Sequence, residues 1–289
     1  YTEVPVIPDT FDGVKVFGDA ISQVTDQGDC GRCWANCAVA NLETRYRIMT
    51  KRTFNVDLSI AACFFCNWKN DLRSKFDAMT SEERKSIREK REKAEVDLYQ
   101  IGCQNGTDID QITSFLFLYG VPDTKCVPNE LLLLDKEKKS CESVLELDFD
   151  TCVDKKTAVF NYQASLVYDI DIGTDGCLFQ SVQLDILKFG PVLIACFVSD
   201  SFLKWDGIGV FSEKPILGRE IGHLMTIVGW ETSKLFPTGC NIVFILQNTW
   251  GNTFGDNGFA RIHAQALDRK STRFVGMLPA IPSLLVSRV

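Results

Sequence analysis

The sequence predicts an α+β protein of two lobes, a helical first half and a β-rich second half with a cleft between them. Three observations carry that prediction. Apolar residues recur at helical spacing ahead of Tyr119, short β-rich runs begin at about Ala164, and Gly, Asp and Pro punctuate those runs as in a strongly bent sheet or barrel. The expected helical lobe spans 18–163 and carries a charged insert at about 67–100. The expected β-rich lobe spans 164–289, with residues 1–17 crossing onto it.

Ala35, Val39, Leu42, Tyr46 and Met49 predict a helix from Cys33 to about Met49 with one buried stripe. Its first turn holds Cys33, where free amide hydrogens and the positive dipole end favour a thiolate. Residues 67–100 hold nine Lys/Arg and eight Asp/Glu but few large apolar residues. Thr80-Ser81-Glu82-Glu83 fits a capping box and Glu89 pairs with Lys93, so a helix from about Ser81 is expected, with Ile87, Ala94 and Leu98 as a narrow seam. Two readings of it stand: a solvated surface helix and a partner-binding arm. Asp108 to Tyr119 reads as a buried helix closed by Gly120 and Pro122, and Ser181 to Phe189 as a helix ahead of the Gly190-Pro191 turn. The strands expected are Leu166 to Ile170, Val192 to Val198, Leu224 to Trp230, Ile242 to Leu246 and Phe259 to Ile262.

The formal net charge of -7, without a segment of clustered basic and aromatic residues, argues against nucleic acid as a partner. The longest uninterrupted apolar stretch, Pro191 to Val198, is far below the roughly 18 residues of a spanning helix, so no membrane span is expected. Tyr1-Thr2-Glu3-Val4-Pro5 reads as a trimmed start. Twelve cysteines favour an oxidising compartment with structural disulfides. Cys30-x2-Cys33 and Cys63-x2-Cys66 lack the spacing of a zinc site, so no metal and no cofactor are expected. With two histidines in the chain, any imidazole chemistry belongs to His223 or His263, and His263 reads as a surface or strand residue.

Cleavage of an amide by a thiol needs a nucleophile, a proton donor for the leaving amine, and hydrogen bonds to the oxyanion. Cys33 would attack the scissile carbonyl as a thiolate sharing an ion pair with His223, forming an acyl-enzyme, and His223 would then protonate the departing amine. Asn248 would orient the imidazole, Trp250 would shield that bond, and the Gln27 carboxamide with the Cys33 amide would form an oxyanion hole.

Gln27 to Ala35 resembles the active-site signature of the papain-like cysteine proteases, with Arg32 in place of a small residue. Gly222-His223-Leu224-Met225 and the following residues to Trp230 resemble the family's histidine strand. Gln247-Asn248-Thr249-Trp250-Gly251 with Phe254-Gly255-Asp256-Asn257-Gly258-Phe259 resembles its Asn-Ser-Trp-Gly block, and Gly102-Cys103-Gln104-Asn105-Gly106 its cleft-bordering turn. Ile7-Pro8-Asp9-Thr10-Phe11-Asp12 and Ile221-Gly222-His223 are similar to the cathepsin B-like branch. That branch's occluding-loop histidines are missing between Cys126 and Cys152, so an endopeptidase is expected and dipeptide trimming is not. The gaps from Cys33 to His223 and Asn248 are 190 and 215 residues, longer than in the papain type, and the charged insert accounts for much of the excess.

The resemblance implies a papain-like two-lobed fold whose right lobe is antiparallel and β-barrel-like. It implies polypeptide substrates, an inhibitory propeptide and cystatin-like inhibitors as partners, a monomer, and a mature form in a secreted, lysosomal or vesicular setting or packaged in a particle. It pairs Cys30 with Cys103, and Cys66 and Cys126 with Cys141 and Cys152 in either order. It makes Gly106, Asn105, Gly222 and Trp250 substrate-binding, and puts either Phe274 or Gly276 at the floor of the P2 pocket, hence an apolar P2 preference. Asn105-Gly106-Thr107 is a glycosylation sequon expected to stay unmodified in an active enzyme. Arg32 beside the nucleophile would either stabilise the thiolate or crowd the cleft, and Asn36, Cys37 and Phe254 also depart from the family pattern. Cys37 and Cys196, in apolar runs, read as buried thiols. A catalytically silent binding protein on the same fold is the rival reading, and acyl transfer to an amine is a third.

Overall fold

The computed structural model describes residues 6–64, 67, 103, 106–132, 162–172, 179–214, 221–232, 241–267 and 271–281. The charged insert, with its capping box and its Glu89–Lys93 pair, lies outside the described residues, as do Asn105, Cys66, Cys141, Cys152, Cys177 and Cys240.

Strand β1 (Thr10–Asp12) and the short helix α1 (Gly13–Phe17) lead to the long helix α2 (Cys33–Met49). Residues 60–64 are helical, and α3 (Ile109–Leu118) follows, its N-cap Asp108 accepting from the Gln111 amide at 2.8 Å. Then come β2 (Ala164–Asp169), α4 (Gln180–Phe189), β3 (Val192–Val198), α5 (Asp200–Lys204), β4 (Val210–Phe211), β5 (Ile221–Thr232), β6 (Ile242–Gln247), β7 (Phe259–His263) and β8 (Arg273–Pro279). The expected bounds of α2 and β3 coincide with those observed.

All eight strands join one sheet in the order β2-β8-β3-β5-β6-β7-β4, with β1 beside β5. Every pairing is antiparallel except the short parallel pair β4–β7. The sheet is open rather than closed, which corrects the barrel-like expectation: β2 and β4 stand at its two ends, and no pairing among the described residues joins them. β5 organises the sheet. Its first half pairs with β3 and its second half with β6, while β1 takes the edge that β3 leaves, putting Phe11 opposite Trp230. Gly229 permits that close approach, because a Cβ there would lie 2.2 Å from the Phe11 carbonyl oxygen.

Each face of the sheet carries a core. On one face α2, residues 60–64 and α3 pack onto Leu193, Leu224, Val275 and Met277. On the other, Val182 and Ile186 of α4 and Phe202 of α5 pack onto Ile194, Met225, Phe244 and Phe274.

The expectation of one buried stripe on α2 is corrected, since every residue from Cys33 to Arg47 is buried. Most of its buried polar groups have partners, which is what makes them tolerable inside. Arg45 meets Asp185 and the carbonyls of Pro191 and Met277, both at 2.8 Å; Arg47 meets Glu43 at 2.9 Å; and Asn41 donates to Pro191 O at 2.7 Å. These bonds fasten α2 to β8, to the turn ahead of β3 and to α4.

Candidate active site

Cys33 is the first residue of α2 and is 7% exposed. The preceding loop is pinned by the Cys30–Cys103 disulfide and by the bond from Gly31 N to Cys103 O at 3.0 Å, so the pairing implied by resemblance is present. Gly31 fits this crossing because a Cβ there would stand 2.5 Å from Cys103 O. The sulfur is approached by the amides of Leu224, Trp34 and Cys33 itself. Two of these are first-turn amides of α2, so the helix start does favour the thiolate. Burial nevertheless outweighs them and pushes the thiol above its usual range.

His223 lies on β5, directly across from Cys196 of β3. Its ring stacks on Trp250 with centroids 5.0 Å apart, and Phe202 stands beyond at 6.5 Å. His223 Nε2 is 2.8 Å from Asn248 Oδ1, and Thr249 N donates to the same oxygen at 2.8 Å. The second contact marks that atom as the acceptor, so Nε2 carries the proton and Nδ1 is left as the basic nitrogen. Burial lowers the imidazole to about 4, and the bond to Asn248 offsets part of that. Burial thus disfavours the charged form of each group, the thiolate of Cys33 and the imidazolium of His223, because each loses its hydration.

The two distant segments are joined backbone to backbone. Gln27 N donates to Thr249 O at 2.8 Å, and Asp26 bridges Trp250. Thr249 Oγ1 donates to Gln27 Oε1, while Gln27 Nε2 donates to Cys30 O at 2.8 Å. One carboxamide hydrogen is thereby used in fixing the side chain, and the other remains. Sequence reasoning missed Thr249, whose amide orients Asn248 and whose hydroxyl orients Gln27. The signal was a hydroxyl residue sitting between Asn248 and Trp250.

The remaining expected residues scatter. Gly106 adopts φ +60, and Gly222 is exposed at the start of β5 next to His223. Trp250 is half-buried against His223. Both residues expected at the P2 floor are buried. The Phe274 ring is held in the second core between Phe179 and Phe244, and the Tyr168 ring covers Gly276 so closely that a Cβ would lie 2.4 Å from it. The strand's alternation puts both on the same face of the sheet. The Arg32 guanidinium is buried and donates to Asp26 O at 3.1 Å. Asn36 donates to Thr25 Oγ1 at 2.8 Å. His263 is on β7 and buried.

The profile of the papain family cysteine proteases matches residues 7–272. A cathepsin B-like cysteine proteinase 4 of Caenorhabditis elegans is 25% identical over 277 residues, 89% of this chain and 70% of the relative. A cathepsin B-like cysteine proteinase 1 of Ostertagia ostertagi is 26% identical over 283 residues, 91% of this chain and 70% of the relative. Among solved structures, procathepsin B S9 from Trypanosoma congolense superposes with a TM-score of 0.63 at 16% identity, over 96% of this chain and 79% of that one. With that profile spanning nearly the whole chain and the thiol, imidazole and carboxamide held as described, the chain belongs to the papain family of cysteine proteases and is cathepsin B-like.

Proposed function

We propose that the chain is a cysteine endopeptidase in which Cys33 attacks and His223 moves the proton. The observation that carries this reading is the fixed tautomer of His223, with Nε2 engaged by Asn248 Oδ1 and Nδ1 basic. The thiol meets the amide of Leu224, the residue directly after His223, so nucleophile and base share one peptide unit. As a polypeptide enters, Nδ1 takes the thiol proton and sulfur attacks the scissile carbonyl. The oxyanion is met by the remaining Gln27 Nε2 hydrogen and the Cys33 amide. The imidazolium then protonates the leaving amine, and water deprotonated by His223 releases the acyl-enzyme.

The substrate would lie between the helical part, residues 18–163, and the sheet of 164–289, with the Gly106 backbone adding an edge-strand contact. The Cys30–Cys103 disulfide supports a secreted or lysosomal setting. Inhibitory propeptide and cystatin-like partners, and a monomeric state, belong to the same reading. The burial of both Cys33 and His223 favours one rival, a silent binding protein.

Labelling with an epoxysuccinyl thiol-protease inhibitor, followed by peptide mass mapping, tests the choice. One adduct on Cys33, lost in His223→Ala, is the expected result. Absence of any adduct on reduced, folded protein would transfer the reading to the rival.

A further inference from the structure

Cys37 and Cys196 also lie close to the nucleophile, and the proposed chemistry uses neither. Cys37 follows Cys33 by one helical turn on α2, which puts their Cα atoms about 6 Å apart on one helix face. Both sulfurs meet the same residue of β5. Cys37 Sγ donates to Leu224 O at 3.0 Å, and Cys33 Sγ faces Leu224 N. The amide and carbonyl of a strand residue leave on one side of the strand, so the two sulfurs are held side by side. Cys37 is 2% exposed, beyond direct reach from the cleft. Cys196 instead belongs to the second core with Val198 and Phe202.

We propose that Cys37 is a resolving thiol for Cys33, closing a reversible Cys33–Cys37 disulfide after a peroxide has oxidised the nucleophile. The thiolate fraction of Cys33 gives two electrons to hydrogen peroxide, leaving, with one proton taken up, Cys33 sulfenic acid and one water. Cys37 sulfur then attacks the Cys33 sulfur, the S–O bond breaks, and hydroxide leaves with the Cys37 proton as a second water. A disulfide needs Cβ atoms about 3.5–4.5 Å apart, closer than the roughly 5–6 Å of a regular helix, so the terminal turn must rotate inward. Cys33 can lead that rotation because its amide belongs to the first turn and makes no intrahelical bond.

The test is peptide mass mapping of the full chain after hydrogen peroxide. Trypsin releases residues 33–45, which carry both thiols. The expected product is this peptide lighter by two hydrogens, with neither cysteine alkylated before reduction and both alkylated after it. Cys33 carried to sulfinic or sulfonic acid with Cys37 still alkylatable would overturn the proposal. So would a link between Cys33 and the peptide holding Cys196, or a Cys33 that stays unmodified.

A second measurement rests on the proposed protease reading, whereas the mass readout does not. Activity lost to peroxide should return with dithiothreitol in the wild type. Cys37→Ser keeps a donor for Leu224 O and should leave basal activity unchanged, while the recovered fraction falls at least about fivefold. Equal recovery in the two proteins would also overturn the proposal.

Discussion

His223 Nε2 stands 2.8 Å from Asn248 Oδ1, and the Thr249 amide holds that oxygen from the other side at the same distance. The carboxamide is therefore fixed before the imidazole meets it, and one ring nitrogen is committed. Asn248→Ala is expected to lower kcat by about ten- to a hundredfold with KM little changed, since the loss falls on proton transfer rather than binding. Steady-state kinetics on a peptide substrate check this. A change confined to KM would remove Asn248 from the role of orienting residue.

The thiol is raised and the imidazole is lowered, both by burial. Alkylation of Cys33 follows the thiolate fraction, so the iodoacetamide rate should climb steadily with pH to 9 and beyond. A rate that is flat from pH 5 to 8 would instead report a resting ion pair and reverse the assignment made from burial. Asn248→Asp adds a second test. A carboxylate beside Nε2 stabilises the imidazolium, so the acid limb of kcat/KM, expected near 4 in the wild type, should move up in this variant.

The same lowered imidazole links stability to pH. His223 is neutral when folded down to about 4 but takes a proton near 6.5 once unfolded. Between those values the unfolded chain binds more protons, so stability is complete above 6.5 and declines as pH falls towards 4. The loss is on the order of 3 kcal/mol for a shift of this size. Urea midpoints at pH 7 and pH 4.5 should therefore separate in the wild type and draw together in His223→Gln.

Gln27 and Thr249 form a small clamp in which the hydroxyl donates to Oε1 and leaves the amide end to act. Gln27→Ala should reduce kcat by about a hundredfold or more, the usual loss for an oxyanion donor. Thr249→Val keeps the backbone bond to Gln27 but removes the hydroxyl, so it should cost less than Gln27→Ala and act on kcat rather than KM. Equal effects of the two would mean that the hydroxyl has a direct role.

Much of this was legible in the sequence because local signals and fold agree there. The bounds of α2 coincide with those expected from the periodicity of Ala35, Val39, Leu42 and Tyr46, and β3 is an apolar run closed by Gly190-Pro191 at one end. What was not legible depends on long-range pairing. Strand β8 holds Arg273, Gly276 and Pro279, a poor strand pattern by composition, and it forms because β2 and β3 flank it. The surroundings of the two P2-floor candidates were hidden for a related reason. Two sequence anchors differing by two positions gave Phe274 and Gly276, which lie on the same strand face, and that face is a core. Likewise Glu43, Arg45 and Arg47 look like a solvent face until the partners that bury them are known.

Arg45 is the strictest case of that burial. It is fully enclosed in α2, and its guanidinium meets Asp185 of α4, the Pro191 carbonyl ahead of β3 and the Met277 carbonyl of β8. Tyr168 donates to the other oxygen of Asp185, so the carboxylate too is satisfied. Removing one partner strands a buried charge, so Asp185→Leu should destabilise by about 3–5 kcal/mol. Arg45→Met should cost less, because Asp185 keeps Tyr168 and is 8% exposed at its side chain. The double variant Arg45→Met/Asp185→Leu should be more stable than Asp185→Leu alone, since no charge is left without a counterpart. Chemical denaturation of the four proteins measures the coupling. Strict additivity would show that α2 is held to the sheet by apolar packing, with the Arg45–Asp185 pair contributing nothing of its own.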